Sequence, residues 1–192
     1  MEKFTTMFRL KLAYKAENDE TGAIENVKDE MLVECVNYTD AEKVVMQLEK
    51  LYDMSKYEPL SYEIVKCKYD FSTIFLNALV NRENDDNLIC GLVDSFIEDK
   101  EHGLYAVDII MYGDKSIKEK DVKETYFIPA INPADAHFRA AKIIQNYGKN
   151  KSDYAILNVK HDKANDILLL PSSYAHLNNR SVEIGIAYGL QD

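Results

Sequence analysis

An apolar strand runs directly into a helix at residues 31–45, which read MLVECVNYTDAEKVV. The apolar residues at 31–36 are typical of the buried end of a strand. Thr39 can cap a helix, and Glu42, three residues later, can reach back to that cap. Apolar residues then recur at helical spacing, which predicts a helix with one buried stripe: Val44, Val45, Leu48, Leu51 and Tyr52.

The residues on either side of this stretch complete a β-β-α-β unit. Residues 8–15 alternate between apolar and polar, which predicts a strand with one buried face. A polar turn follows at 17–22 and ends in Gly22, so the strand returns as a hairpin. Residues 62–67 predict a third strand after the helix, and the unit covers about residues 7–69.

The second half of the chain repeats this order. Strands are predicted at 104–112, 122–130 and 154–159, with a helix that starts at Asn132 and Pro133. A shift of 93 residues aligns Thr39 with Asn132 as equivalent caps, which indicates an internal duplication. The predicted core includes the following residues: Leu48, Leu51, Phe138 and Ile144.

The predicted fold class is therefore α+β. Tandem duplicated β-β-α-β units form antiparallel sheets, with the helices packed on one face. We expect a first repeat at residues 1–70, an inserted connection at 71–101, a second repeat at 102–170 and a C-terminal extension at 171–192. Within the connection, residues 71–80 are a strand or a short helix and residues 88–97 a helix. Residues 171–174 are predicted as a loop, and 181–188 as a last strand.

The charge of the chain limits the classes of function. The 192 residues carry a formal net charge of −10, which argues against general binding of polyanions, because phosphate backbones repel an acidic protein. The charge is uneven: residues 17–34 hold seven acids and one base, whereas residues 139–163 hold six bases and two acids. A local basic face is therefore compatible with the acidic total.

The cysteines and the apolar runs predict a cytoplasmic protein. Cys35, Cys67 and Cys90 lie far apart and form no CxxC motif, which suits structural thiols in a reducing compartment. No signal-like segment and no run of about 18 apolar residues is present, so no membrane partner is expected.

Searches for catalytic and metal-binding motifs give no candidate. The stretch GKNKS at 148–152 closes a predicted helix, whereas a phosphate loop opens one. The acidic turn at 17–22 resembles the start of a calcium loop, but Lys28 stands where a bidentate carboxylate is required. The four histidines lack metal-ligand spacing. We therefore expect no catalytic residues, no metal and no cofactor.

The stretches MLVECVNYTDAEKVV and VKCKY, in this order of strands and helix, resemble a two-repeat domain family of unknown function. That family occurs in Bacteroidetes bacteria and their phages. The matching positions are Glu30, Leu32 and Val33, Tyr38, and the run Thr39–Glu42. The resemblance implies the fold and a phage or mobile-element setting, and it implies no reaction.

Basic and aromatic residues interleave near the second helix, as in surfaces that stack on bases and neutralise phosphates. The candidate residues for binding a polyanion or nucleotide are Arg139, Lys142, Tyr147, Lys149, Lys151, Tyr154, Lys160 and Lys163. The competing interpretation is that Tyr154 packs inside and the lysines form a solvated face.

Two functions remain open at this point. The first is a non-catalytic binding or accessory protein, phage or mobile-element encoded, that acts through protein–protein assembly with a partner or with itself as a homo-oligomer, because the strand edges of a repeated unit favour pairing. The alternative is a nucleic-acid or nucleotide-binding protein, including a phage counter-defence protein that sequesters a nucleotide signal. In either case the expected location is the cytoplasm, that of the host if a phage encodes the protein.

Overall fold

The structure, a computed structural model, describes residues 5–75, 93–94 and 103–177. These residues form both helices and β-sheets, which confirms the predicted α+β class. The described residues divide into two compact units. The first contains residues 5–71, 93–94 and 163–174, and the second contains residues 72–75, 103–162 and 175–177.

The main elements follow one another along the chain as β1 (Thr6–Glu17), β2 (Ile24–Cys35), α1 (Tyr38–Leu51), β3 (Ser61–Lys66), β4 (Val93–Asp94), β5 (Gly103–Met111), β6 (Val122–Ala130), α2 (Pro133–Asn146), β7 (Tyr154–His161) and β8 (Ala164–Leu169). Short 3-10 turns lie at Phe71–Thr73 and Lys115–Ile117, and residues 171–177 are helical.

The first unit contains a five-stranded sheet in the order β3-β1-β2-β8-β4. All neighbours are antiparallel except β2 and β8, which pair in parallel. Alternate residues of β1, such as Leu10 and Leu12, face α1 and pack with Val45 and Leu48 of the helix. The period of two in β1 therefore supplies one apolar face, and the helix covers it.

The second unit contains a three-stranded antiparallel sheet in the order β6-β5-β7. Val107 and Ile109 of β5 face α2 and pack with Ala140 and Ile144 of that helix. Phe75 joins this core, and its N–H donates to the carbonyl of Phe127 on β6 at 2.9 Å.

In both units the first strand of the β-β-α-β run lies between the other two strands of that run. The two helices have 14 residues each, and their caps are Asn37 and Asn132, so a shift of 95 relates them (132 − 37). The prediction of Thr39 as the cap is wrong. Asn37 is the last extended residue before α1, and its Oδ1 accepts a hydrogen bond from the N–H of Asp40 at 3.0 Å. Thr39 lies inside the first turn.

The core prediction is correct for Leu48 and Ile144, which are buried. It is wrong for Leu51 and Phe138, which are 54% and 51% exposed. Leu51 is the last residue of α1, one turn past the buried stripe. Phe138 points away from the side of α2 that carries the buried Ala136 and Ala140.

Several predicted boundaries differ from the structure. The second repeat was expected to reach residue 170, but β8 pairs with β2, and residues 163–174 therefore belong to the first unit. Residues 171–177 are helical where a loop was expected at 171–174. Of the helix expected at 88–97, only Val93–Asp94 are described, and they form a strand with β8. The strand expected at 181–188 and Cys90 lie outside the described residues.

Candidate binding surfaces

The predicted basic and aromatic residues are divided between the two units. Lys163 belongs to the first unit, and the other seven belong to the second. Three of the seven have structural contacts. The Nε of Arg139 donates to Asp135 at 2.8 Å, the hydroxyl of Tyr154 accepts from Gln145, and the Nζ of Lys142 lies 5.4 Å from the ring centroid of Phe138.

Tyr147, Lys149 and Lys151 lie together in the exposed turn between α2 and β7. Lys160 lies near the other end of β7, six residues from Tyr154, which corresponds to roughly 20 Å along a strand. Lys160 and the turn thus lie toward opposite ends of β7, and the predicted residues that share one loop are Tyr147, Lys149 and Lys151.

A second loop, which is not part of the predicted site, lies beside this turn. Met111, the last residue of β5, pairs with Val122 on β6 and with Tyr154 on β7. The next residue, Tyr112, donates its N–H to the carbonyl of Asp153 at 2.8 Å. The β5–β6 loop and the α2–β7 turn therefore leave the sheet side by side at one end. The loop and the first residues of β6 add four lysines: Lys115, Lys118, Lys120 and Lys123.

The four acidic residues of these two loops accept hydrogen bonds from the backbone of the loops themselves. Asp114 accepts from the N–H of Ser116, Glu119 from Asp114, Asp121 from Gly113 and Asp153 from Asn150, at 2.7–3.2 Å. These bonds favour the charged form of a carboxyl. Accordingly, hydrogen bonds from Ser116, Lys115 and Asn150 lower the pKa values of Asp114, Asp121 and Asp153.

The edge strands of the sheets differ in the features that protect them from pairing with another strand. β3 is the last strand of the first sheet, and no described strand pairs with its outer side. β6 carries Pro129 and is covered at Phe127 by residues 74–75. β7 contains an irregularity opposite Asp108 and Ile109, which leaves Leu157 without a register partner. Of these three strands, only β3 has neither a proline nor a bulge.

Among the described residues, Glu34 is the charged residue with the smallest exposed surface, 1%. Its Oε1 accepts from the hydroxyls of Thr5 at 2.5 Å and Ser173 at 3.0 Å, and its Oε2 accepts from the N–H of Leu170 at 3.0 Å. In the described part of the chain, no cationic side chain pairs with it. This carboxyl connects β2 with the start of the helical residues 171–177.

Other polar contacts also hold the framework together. Asp108 accepts from the hydroxyl of Thr125 at 2.8 Å and from the amide of Asn158 at 3.4 Å, across the three strands of the second sheet. In the first unit, the hydroxyl of Tyr14 donates to Asp29 at 2.5 Å and that of Tyr62 donates to Glu42 at 3.0 Å. Burial chiefly raises the pKa of Tyr14, and the bond to Glu42 raises the pKa of Tyr62.

Within residues 5–75, 93–94 and 103–177, no group of three or more metal-ligating side chains comes together. None of the helices in the same residues has the length and the apolar composition of a membrane span. Cys35 is buried and Cys67 half-buried, and neither forms a disulfide in this part of the chain.

One known family matches the part of the chain that forms almost the whole fold described above. The model of a domain of unknown function, DUF4494, matches residues 6–170. This range begins at the first residue of β1 and ends one residue after β8, so it contains all of the described strands and both long helices. No curated protein matches the chain. The match covers far more than half of the 192 residues, and the chain therefore belongs to the DUF4494 family.

Proposed function

We propose that this protein is a non-catalytic binding protein that acts by protein–protein assembly. The contact is the open edge of β3, and the partner is a second copy of the same chain. The observation that carries the proposal is an edge strand with free backbone groups and none of the protection seen on β6 and β7. A phage-encoded accessory role in the host cytoplasm is part of the proposal and rests on the family resemblance.

The register of β3 identifies the backbone groups that face outward. The N–H of Cys67 donates to the carbonyl of Met7 at 2.9 Å, and β3 pairs with β1 residue by residue in antiparallel register. In such a ladder, every second residue turns its N–H and C=O toward the neighbouring strand. The backbone N–H and C=O groups of Val65 and Glu63 therefore face β1, like those of Cys67. The outward donors and acceptors belong to Tyr62, Ile64 and Lys66.

A second copy fits this edge because an antiparallel strand pair is self-complementary about a two-fold axis. With Ile64 of each copy on the axis, Tyr62 of one copy lies opposite Lys66 of the other. The two isoleucines form an apolar cross-strand pair, and the aliphatic part of each Lys66 packs against the ring of Tyr62 of the other copy. No like charges lie opposite each other in this register. The pairing would join the two five-stranded sheets into one continuous sheet.

The polar clusters support a non-catalytic role. Glu34 accepts hydrogen bonds from Thr5, Leu170 and Ser173, and Asp108 accepts from residues of both neighbouring strands. Each carboxyl therefore has a structural use in the framework.

Sedimentation velocity over a concentration series tests the proposal. We expect the mass of the wild-type protein to rise from 22.0 kDa toward twice that value as concentration increases. Lys66→Pro removes an outward N–H while leaving the bonds to β1 in place, so it should shift the protein to the monomer. Lys66→Ala keeps the N–H and is the matched control, which should still dimerise.

Circular dichroism would verify that Lys66→Pro retains the fold. A wild-type protein that stays at 22.0 kDa at every concentration would overturn the choice of a second copy. Equal dimerisation of Lys66→Pro and Lys66→Ala would show that the contact is elsewhere.

A further inference from the structure

We propose that the loop end of the second unit binds single-stranded nucleic acid. The loop end is defined as the β5–β6 loop with the start of β6, residues 112–123, together with the α2–β7 turn, residues 147–153. The inference does not depend on the β3 edge, because it concerns a different surface of a different unit.

The charge of the loop end favours a polyanionic ligand. The loop end has six lysines and four acids, in a protein whose net charge is −10. Lys115 is paired with Asp121, whereas the other five lysines form no ion pair within the described residues: Lys118, Lys120, Lys123, Lys149 and Lys151. Because the acids are bonded to backbone N–H groups of the loops, their charge is partly balanced locally, and the lysines remain available to a polyanion.

Exposed aromatic rings lie in the same two loops as these lysines. Tyr112 and Tyr147 are 45% and 52% exposed, and one lies in each of the two adjacent loops. A ring exposed next to a cation can stack on an unpaired base while the cation contacts the phosphate. Bases of a duplex are already stacked on one another, so exposed rings favour a single strand.

The surface of the loop end is formed before a ligand arrives. A Cβ at Gly113 would lie 2.5 Å from the carbonyl oxygen of Glu119, so the loop folds back tightly on itself there. The N–H of Glu119 donates to the carbonyl of Asp114, and Tyr112 is bonded to Asp153 of the neighbouring turn. A preformed surface avoids the entropy cost of ordering two loops on binding.

Fluorescence anisotropy with a labelled oligodeoxythymidylate of about 20 nucleotides tests the inference, since this probe is flexible and unpaired. Five neutralised phosphates give a slope of about −3.5 for log Kobs against log salt. We therefore expect binding at ~50 mM salt that weakens about 100-fold at ~200 mM.

Two pairs of variants separate the loop end from the rest of the protein. Lys149→Glu with Lys151→Glu should reduce affinity at least about tenfold, because two cations are reversed. Lys28→Glu with Lys68→Glu makes the same change of net charge on exposed residues of the first unit and should have a much smaller effect. Tyr147→Ala should weaken binding roughly tenfold, whereas Tyr38→Ala, at an exposed tyrosine of α1, should not.

Three outcomes would overturn the inference. The first is an absence of binding at ~50 mM salt, where electrostatic attraction is strongest. The second is an equal loss in the two lysine pairs, which would mean attraction to net charge alone. The third is binding to vesicles of anionic phospholipid without binding to the oligonucleotide, which would assign the surface to a membrane instead.

Discussion

The two units have the same framework and different chemistry on the sheet face that lies away from the helix. In the first unit, Lys11 lies opposite Glu30 on one side and Glu63 on the other. In the second unit, the corresponding central residue is Asp108, which lies opposite Thr125 and Asn158. A central cation between two acids is thus replaced by a central acid between two hydrogen-bond donors.

The second strands of the two units also differ in chemistry at matching positions. Glu34 is the next-to-last residue of β2, and Pro129 is the next-to-last residue of β6; both are buried. Glu34 gathers three hydrogen-bond donors from other segments, whereas Pro129 removes a donor from an edge strand. The two units therefore share an apolar sheet face against the helix and differ on the other face. The other face can then be used differently in each unit.

The largest expected effects test whether the two helix-covered cores are equivalent. Leu48 and Ile143 occupy matching positions of α1 and α2 and are both buried. Leu48→Ala and Ile143→Ala should each lower the free energy of unfolding by about 2–5 kcal/mol, through lost burial and a cavity. Denaturant unfolding measures both.

The exposed Leu51 and Phe138 provide the controls for this comparison. Leu51→Ala and Phe138→Ala should each change the free energy of unfolding by less than about 1 kcal/mol. A cost for either control as large as that of the buried pair would mean that the helix faces are assigned incorrectly.

Much of the framework was predictable because it depends on local patterns. Alternation marked the first strand of each hairpin, and apolar stripes marked both helices. The cap of α1 was misplaced because two capping signals overlap. Asn37 and Asp40 are three residues apart, as are Thr39 and Glu42, and both pairs satisfy the same chemistry.

The features that the sequence did not predict depend on contacts between distant residues. β8 pairs in parallel with β2 across more than 130 residues of chain, and no local pattern specifies that partner. Glu34 reads as one more acid in an acidic stretch until Ser173 and Leu170 are placed beside it. The lysines at 115–123 were visible, but their proximity to Lys149 and Lys151 follows only from the strand order.

The next largest effect is expected in the second strands of the two units, where Glu34 of β2 and Pro129 of β6 occupy matching positions. Glu34→Ala removes the acceptor for the hydroxyls of Thr5 and Ser173 and for the N–H of Leu170, and it leaves a cavity. Buried donors without partners are costly, so we expect a loss of about 3 kcal/mol in the free energy of unfolding. Pro129→Ala, at the matching position, removes buried methylene groups and should cost less, about 1–2 kcal/mol.

Hydrogen exchange would localise the effect of Glu34→Ala. The amides of residues 164–174 should lose protection in this variant and keep it in Pro129→Ala, because Glu34 holds that segment against β2. Unchanged protection there would contradict the anchoring role of Glu34.

A smaller effect is expected at the helix caps, where the units are most alike. The side chains of Asn37 and Asn132 accept from the N–H groups of Asp40 and Asp135 at 3.0 and 2.9 Å. Asn37→Ala and Asn132→Ala should each cost about 1 kcal/mol of unfolding free energy. Thermal denaturation of the two variants and of Thr39→Ala provides the comparison, and a larger loss for Thr39→Ala than for Asn37→Ala would restore Thr39 as the cap.

The smallest effect concerns pH, and it has opposite directions in the two units. In the first unit, burial and the bond to Asp29 raise the pKa of Tyr14 above the ordinary value of about 10. The unfolded chain therefore loses this proton first, and the free energy of unfolding falls as pH rises above about 10. In the second unit, the bond from Lys115 lowers the pKa of Asp121, so the free energy of unfolding falls as pH drops below about 4, where only the unfolded chain binds the proton.

Thermal midpoints of three proteins distinguish these two contributions. Tyr14→Phe cannot ionise at this position, so its midpoint should fall less steeply than that of the wild type between about pH 9 and 11. Asp121→Asn should show the reverse, with a shallower acid slope and an unchanged alkaline slope. Equal slopes in all three proteins would contradict both assignments.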